Sequence, residues 1–418
     1  MEKSGKFRLT SLERNWILYD VGNSAFVLMV ATLIPIFFNA QAAAGGLSSV
    51  EYLAYWGYAS SAVTVITAVL SPILGTVADT KGFKKPIFIL CVFVGIVGCC
   101  AMGAASAWLP FLVIFVIAKV GFSGSLVFYD SMLSDVTTPE RMDEVSSRGY
   151  AWGYIGSCVP FVVCLGLVLG AGSIGISQMT ALNLALLLTA AWWLLTTLPL
   201  LKSYKQLHYV EVEKHAVRQS FGRIGHTLRH LPEDKQVFWF LLAFFCYIDG
   251  VYTIIDMATA YGTALGLDTT GLLLALLVTQ IVAFPSALIF GRLSNKYPSA
   301  KLIPVCIAAY AGIAVFAFFL TRQWQFWVLA VIVGMFQGGV QALSRSHFAK
   351  IIPPEKSGEY FGLFDICGKG ASFLGTMIVS VGSQLTGSAN VGVGSLIVLF
   401  IVGFVLFRVS CKKEVVPE

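Results

Sequence analysis

Apolar runs of about twenty residues recur along the whole chain, each closed by a short polar or glycine-bearing segment. Twelve are countable, near residues 16–38, 52–78, 86–106, 108–133, 149–171, 179–201, 237–262, 270–292, 302–321, 324–348, 359–385 and 390–408. A run of that length crosses a bilayer as a helix, because only a helix pairs all of its backbone groups without water. The pattern therefore predicts an all-α integral membrane protein with twelve transmembrane helices. Thr10 and Glu13 have capping-box spacing and place the first helix start near Ser11.

Composition agrees with this pattern. Of 418 residues, 57% are hydrophobic and 12% charged, about half the charged fraction of a soluble domain. A net charge of +6 suits loops facing anionic lipid, and no nucleic-acid motif accompanies it. The nine cysteines lie almost entirely inside apolar runs without a CxxC pair, so they read as packing residues, the vicinal Cys99 and Cys100 included. No secretory leader is expected, because polar residues precede a first apolar run long enough to span.

Charge sets an orientation. Of the 28 Lys and Arg, all but Lys119, Arg322, Arg345 and Lys369 fall in the two ends, the central segment and alternate loops. Positive charge is retained on the cytoplasmic side, so both termini are expected there, with the protein in a bacterial plasma membrane. The polar stretch 202–235 then separates an N-terminal bundle, 1–201, from a C-terminal bundle, 236–418. Val217, Phe221, Ile224, Leu228 and Leu231 are spaced for an amphipathic helix on the inner leaflet, with a solvated linker as the alternative. His226 and His230 share a face of it, but no third ligand is near, and no metal is expected.

The two bundles repeat one another. GTVADTKGFKK from Gly75 matches GRLSNKYPSAK from Gly291, 216 residues on, and Pro139-Glu140 matches Pro354-Glu355 at 215. Tyr19-Asp20 in the first span matches Tyr247 and Asp249 in the seventh. Compatible offsets imply duplication of a six-span unit, with the halves related by an axis along the membrane normal. No HExxH, GxSxG or phosphate-cradling GxxxxGK is present, so neither an enzyme nor an ATP-driven pump is expected, and no cofactor.

The segment Gly75, Asp79, Lys81, Gly82, Lys84 and Lys85 resembles the loop signature of the major facilitator superfamily, with Lys81 where that signature has arginine. Longer stretches, WILYDVGNSAF from Trp16, VTQIVAFPSALIFGRL from Val278, GGVQALSRS from Gly338 and EYFGLFDICGKGASFLG from Glu359, are similar to one branch of it. That branch is the vacuolar amino-acid effluxer family linked to autophagy in fungi, which has many bacterial members of unassigned function. The resemblance implies the major facilitator fold, two pseudo-symmetric six-helix bundles around a central site. It also implies that Asp79 and its basic neighbours help hold a cytoplasmic gate, topogenic charge being the alternative.

Charged groups inside spans are costly, and each has a functional and a structural reading. Tyr19, Asp20 and Asn23 in the first span and Asp249 in the seventh are candidates for substrate or proton coupling, against fixed structural hydrogen bonds. Asp256 lies nearer the outer end and is expected to be solvated. Lys119 and Lys369 are placed to bind an anionic head group or to pair with Asp130 or Asp365; Gln280, Gln337 and Gln341 suit a polar cavity or helix packing. Asp130 and Arg345, 215 residues apart and of opposite sign, are candidates for an inner gate together with Gly75, Asp79, Lys81 and Lys84. The expected function is secondary transport of a small organic solute, amino acids being one candidate, by alternating access, with protons as a candidate coupling ion. Carriage of a lysolipid or drug, or a non-transporting sensor, are the alternatives. The expected partners are a small-molecule substrate and membrane lipids, around a monomer.

Overall fold

The computed structural model describes residues 7–211 and 229–412, with 225 and 227. Twelve long helices build it. They are α1 Ser11–Ala44, α2 Ser49–Ala78, α3 Lys84–Met102, α4 Trp108–Ser131, α5 Met142–Leu169 and α6 Gln178–Ser203, then α7 Lys235–Ala264, α8 Thr269–Leu293, α9 Ser299–Phe318, α10 Gln323–Ile351, α11 Ser357–Thr386 and α12 Ile397–Lys412. Among the described residues eleven spans are long and apolar enough to cross a membrane, the last running from Ala389 to Lys412. The remaining long helix, α11, packs into the same bundle between α2 and α7. The amphipathic helix expected over 217–231, with His226, lies largely outside the described residues.

Local chemistry sets the helix ends. Thr10 and Glu13 close a capping box, so α1 starts at Ser11 as expected, and Ser48 with Glu51 repeats the device on α2. Asp268 caps α8 through the Gly271 amide. In the 2/3 loop Gly82 takes φ 81°, a left-handed value that a side chain disfavours. The largest departure from expectation is α5, which begins at Met142 rather than near 149. Asp143, Glu144 and Arg148 end an apolar run on paper. In the fold their charges are paired, Asp143 with Lys350 at 2.6 Å and Glu144 with Arg148, so the helix extends a further two turns.

The packing follows one scheme twice. Helix α1 packs on α5 and α6, α3 on α4, and α2 on α4; six helices later α7 packs on α11 and α12, α9 on α10, and α8 on α10. Contacts between halves obey the same relation, α2 with α11 and α8 with α5. Single bonds repeat too. Tyr19 donates to Ser125 Oγ at 2.6 Å between α1 and α4, and the Tyr247 and Ser344 hydroxyls share a 2.6 Å bond between α7 and α10.

Both bonds are buried inside a half. Tyr19→Phe and Tyr247→Phe are therefore expected to cost about 1 kcal/mol each, seen as matched downward shifts of the thermal unfolding midpoint in detergent; a shift in one alone would contradict the equivalence.

Candidate functional site

The bonds between the halves are concentrated toward one end, where the first described residues also lie. Arg141 of the 4/5 loop holds the Arg8 carbonyl and Glu13 there, and Ser410 near the chain's other end donates to Gln236. The clustered Lys and Arg make this the basic end.

Its outermost layer is built on glycine. A Cβ on Gly75 would collide with the Gly358 carbonyl, so α2 and α11 touch backbone to backbone. Asp79, at the end of α2, accepts from the Gly358 and Glu359 amides at 2.7 and 2.8 Å. These are orphan donors in the first turn of α11, and a carboxylate there also meets the positive end of the helix dipole. Lys84 is fully buried behind it, 3.5 Å from Asp79 and 2.7 Å from Ser357 Oγ. Lys81 is turned outward, over Tyr209 and 3.4 Å from Glu211, so the basic partner inside this layer is Lys84. The repeat supplies the mirror contact. Asn295, the counterpart of Asp79, donates to Glu144 at 2.7 Å, while Gly291, the counterpart of Gly75, lies against Ser147.

The next layer surrounds Arg345, which α10 sends across to the other half with 2% exposure. Its Nη1 lies 2.9 Å from Asp130 and 3.7 Å from Asp20. Nε donates to Ser146 Oγ at 2.9 Å and Nη2 to the Ser146 carbonyl at 3.0 Å. The Trp16, Tyr129 and Tyr150 rings flank the guanidinium, its carbon 4.3 to 5.4 Å from their centroids. Two carboxyls face one guanidinium, so with both ionised the closed box carries one negative charge in excess, a place suited to a proton or a cationic group. Asn23 donates to the Tyr19 carbonyl at 3.2 Å, beside it.

Two more cross-half bonds form the box's far wall. Tyr154 donates to Gln341 at 2.7 Å, and Ser71 to Asp365 at 2.8 Å. The backbone of Lys369 continues α11 beyond Asp365; its side chain is outside the described residues.

Beyond that wall the character changes. Lys119, eleven residues along α4 from Asp130, lies 4.7 Å from the Phe122 ring centroid and 5.9 Å from that of Phe26. It is near enough to Asp256 of α7, in the other half, for their opposite charges to attract, and Asp256 keeps an accessible side chain although protein surrounds it on most sides. Next to Asp256 in sequence, a cavity opens within the C-terminal half, lined by apolar groups such as Met257, Leu276, Phe326 and Val333, with Gln280 and Gln337 among its polar members. Asp249 does not join these groups. It is fully buried and accepts from the Gly375 amide at 2.8 Å and from Thr253.

Sequence reasoning passed over Ser146, Tyr150, Tyr154, Glu144 and Asn295. Only Asn295 left a signal, its alignment with Asp79 in the repeated loop.

The family described as "Vacuole effluxer Atg22 like" matches residues 133–414. An uncharacterized MFS-type transporter of Bacillus subtilis, YxiO, is 42% identical over 404 residues, 96% of this chain and 94% of that one. The autophagy-related protein 22 of Coccidioides immitis is 25% identical over 314 residues, 64% of this chain, which spans 51% of the fungal protein. Among solved structures, the human organic anion transporter MFSD10 superposes with a TM-score of 0.71 at 15% identity, covering 94% of this chain and 99% of that one. The fucose transporter FucP in its outward conformation gives 0.71 at 16%, covering 96% and 97%. These two likenesses concern the fold.

A pH dependence follows from the outermost layer. Burial pushes the Asp79 carboxyl up to about 6, against the pull of Lys84 and the two amides. Exposed to water, the group would return toward about 4. The sealed form thus holds a proton that an open form releases, and acid favours sealing as pH falls through 6, saturating below about 4. Between pH 7 and pH 5 the ratio of sealed to open protein is expected to rise on the order of tenfold. Distances between spin labels on the exposed Glu140 and Lys296 would report it, and Asp79→Asn should flatten the response.

Proposed function

The chain belongs to the Atg22-like vacuole effluxer family of MFS-type transporters, and from that premise we propose that it is a secondary carrier of a small organic solute, amino acids first among the candidates. Its relatives are transporters rather than enzymes, so turnover is movement across a multi-pass membrane protein. The observation that carries the mechanism is the uneven distribution of cross-half bonds. They run from the Asp79 layer to the Tyr154–Gln341 bond, and beyond that bond the halves present the opposite charges of Lys119 and Asp256. This supports alternating access: a form sealed at the basic end, which exchanges with one that opens there and closes opposite. The moving units are residues 1–201 and 236–418, joined by 202–235. By the positive-inside rule the basic end faces the cytoplasm of a bacterial plasma membrane, and each half-pair works as a monomer.

The site chemistry supports a zwitterion. Lys119 offers one half's positive charge to a carboxylate, Asp256 the other half's negative charge to an ammonium, and the apolar cavity takes a side chain. The Arg345 box, with its one excess negative charge, is a place for the coupling proton: occupancy there weakens the hold of Asp20 or Asp130 on Arg345 and lets the halves part. The apolar lining of the cavity also favours a second reading, an amphipathic cargo such as a lysolipid.

Counterflow in proteoliposomes separates the two. Labelled amino acid is expected to accumulate against unlabelled amino acid. Lys119→Gln and Asp256→Asn should each raise KM about tenfold, the worth of one charge-assisted bond, with the maximal rate little changed. Arg345→Ala, which strands two buried carboxylates, should stop transport. Exchange of lysolipid but of no amino acid would overturn the first reading in favour of the second; binding without flux of either would leave a sensor.

A further inference from the structure

The last carbonyls of a helix have no partner within it. At the end of α2 two of them are taken by a segment distant in sequence. Gln206 Nε2 donates to the Ala78 carbonyl at 3.1 Å, and the Val210 amide donates to the Asp79 carbonyl at 2.8 Å. The exchange continues around the loop. Lys81 N–H bonds back to the Val210 carbonyl at 3.4 Å, and Gly82 N–H to Gln206 Oε1 at 3.0 Å. A short stretch of chain just after α6 therefore lies along the 2/3 loop and holds its backbone from behind, at the residue whose carboxylate engages α11 in front.

That stretch is itself fastened. Asp135, fully buried after α4, accepts from Tyr204 OH at 2.6 Å and from the Leu207 and His208 amides at 3.2 and 2.9 Å. The His208 ring nitrogen Nδ1 lies 2.9 Å from the same carboxylate, and Lys84 Nζ lies 4.0 Å away on its other side. One carboxylate thus ties the segment to the lysine that backs Asp79.

We propose that residues 204–211 are a strap that positions the gate: by bonding the end of α2 they hold Asp79 on the first turn of α11, and they thereby set the balance between the sealed and open forms. Gln206, Val210 and Tyr204 are positioning residues, and none of them touches cargo. The inference rests on reading the Asp79 layer as a gate. It adds that the segment entering the linker is part of that gate rather than a passive connection. A bond lost behind Asp79 frees its backbone, and the carboxylate then meets the α11 amides less often.

The test uses the full chain in membranes, with a reporter cysteine at Ala342, buried in the sealed form, or at Met257 in the opposite cavity, each read as labelling above that of the same chain with its nine native cysteines alone. An impermeant maleimide is added from the basic end or from the far end. Val210→Pro removes the N–H given to Asp79 and Gln206→Ala removes the cap on Ala78; each is expected to raise labelling at Ala342 about fivefold, the factor of one net hydrogen bond. Labelling at Met257 should fall in step, which mere loosening of the fold would not produce. Val210→Ala, which keeps the N–H, should behave as the parent. Gly75→Val, which blocks the approach of α2 to α11, calibrates the gate. If Gly75→Val raises labelling at Ala342 while the strap variants do not, or if both reporters rise together in them, the strap proposal falls and the gate stands. If Gly75→Val changes nothing, the gate reading falls and the strap with it.

Discussion

A guanidinium shut away from water must be answered by the protein, and Arg345 is answered almost wholly by the other half of the molecule. Its carboxylate partners Asp130 and Asp20 lie on α4 and α1, its hydroxyl and carbonyl partners on Ser146 of α5, and its flanking rings on α1, α4 and α5. Removing one partner of such a set strands the others, at a cost of about 3–5 kcal/mol. The arrangement is therefore weak evidence for stability as such. It defines one relative placement of the halves, and sealing above and below follows from that placement. The glycine contact of α2 with α11 and the Tyr154–Gln341 bond are made in that same placement.

Duplication explains how the molecule makes two interfaces from one design, and the differences between the copies show where the design was changed. At the end of α2 the loop carries Asp79, which faces bare amides of a helix start. At the end of α8 it carries Asn295, which faces the Glu144 carboxylate. An acid at 295 would meet a like charge and an amide at 79 would lose the helix-dipole term, so each residue type suits its partner. The two seams are thus chemically distinct. One pairs a buried carboxylate with backbone amides, the other a carboxylate with a neutral side-chain amide.

Much of this was open to reading from residues alone. The twelve spans follow from apolar length, the pairing of loops from two offsets differing by one residue, and Asp130 opposite Arg345 from their shared repeat position. What stayed hidden has physical causes. A count of apolar residues stops at Asp143 and Glu144 because it cannot know that Lys350, Arg148 and Asn295 will pair them. Lys81 and Lys84 carry the same charge three residues apart, and only the turn at Gly82 determines that Lys84 goes inward while Lys81 goes to Glu211. The strap over the 2/3 loop rests largely on backbone donors, which every residue possesses and no pattern marks. Asp249 matches Asp20 in the repeat, yet it is held by Gly375 within its own half, because a duplicated position keeps its place and not its neighbours.

The polar bonds of the bundle then fall into two classes with different energetic consequences. Those inside a half, such as Tyr19 with Ser125, have no water to replace them when the halves move, so they must persist through any cycle. Those between halves lie at the basic end, where separation admits water to the freed groups. Exchange with water reduces each bond from its gross strength to a net of about 1 kcal/mol, so a ladder of them can open without an input on the scale of unfolding. The apolar groups opposite are of the first class: Phe26 and Phe122 are buried inside the N-terminal half and the cavity beside Met257 is lined by the C-terminal half alone, so their packing need not break when the halves part. Under the proposed alternating access, a seam of exchangeable polar bonds between halves whose own packing stays intact leaves the two forms within about a few kcal/mol of each other, a balance that a modest cargo or a single proton would tip.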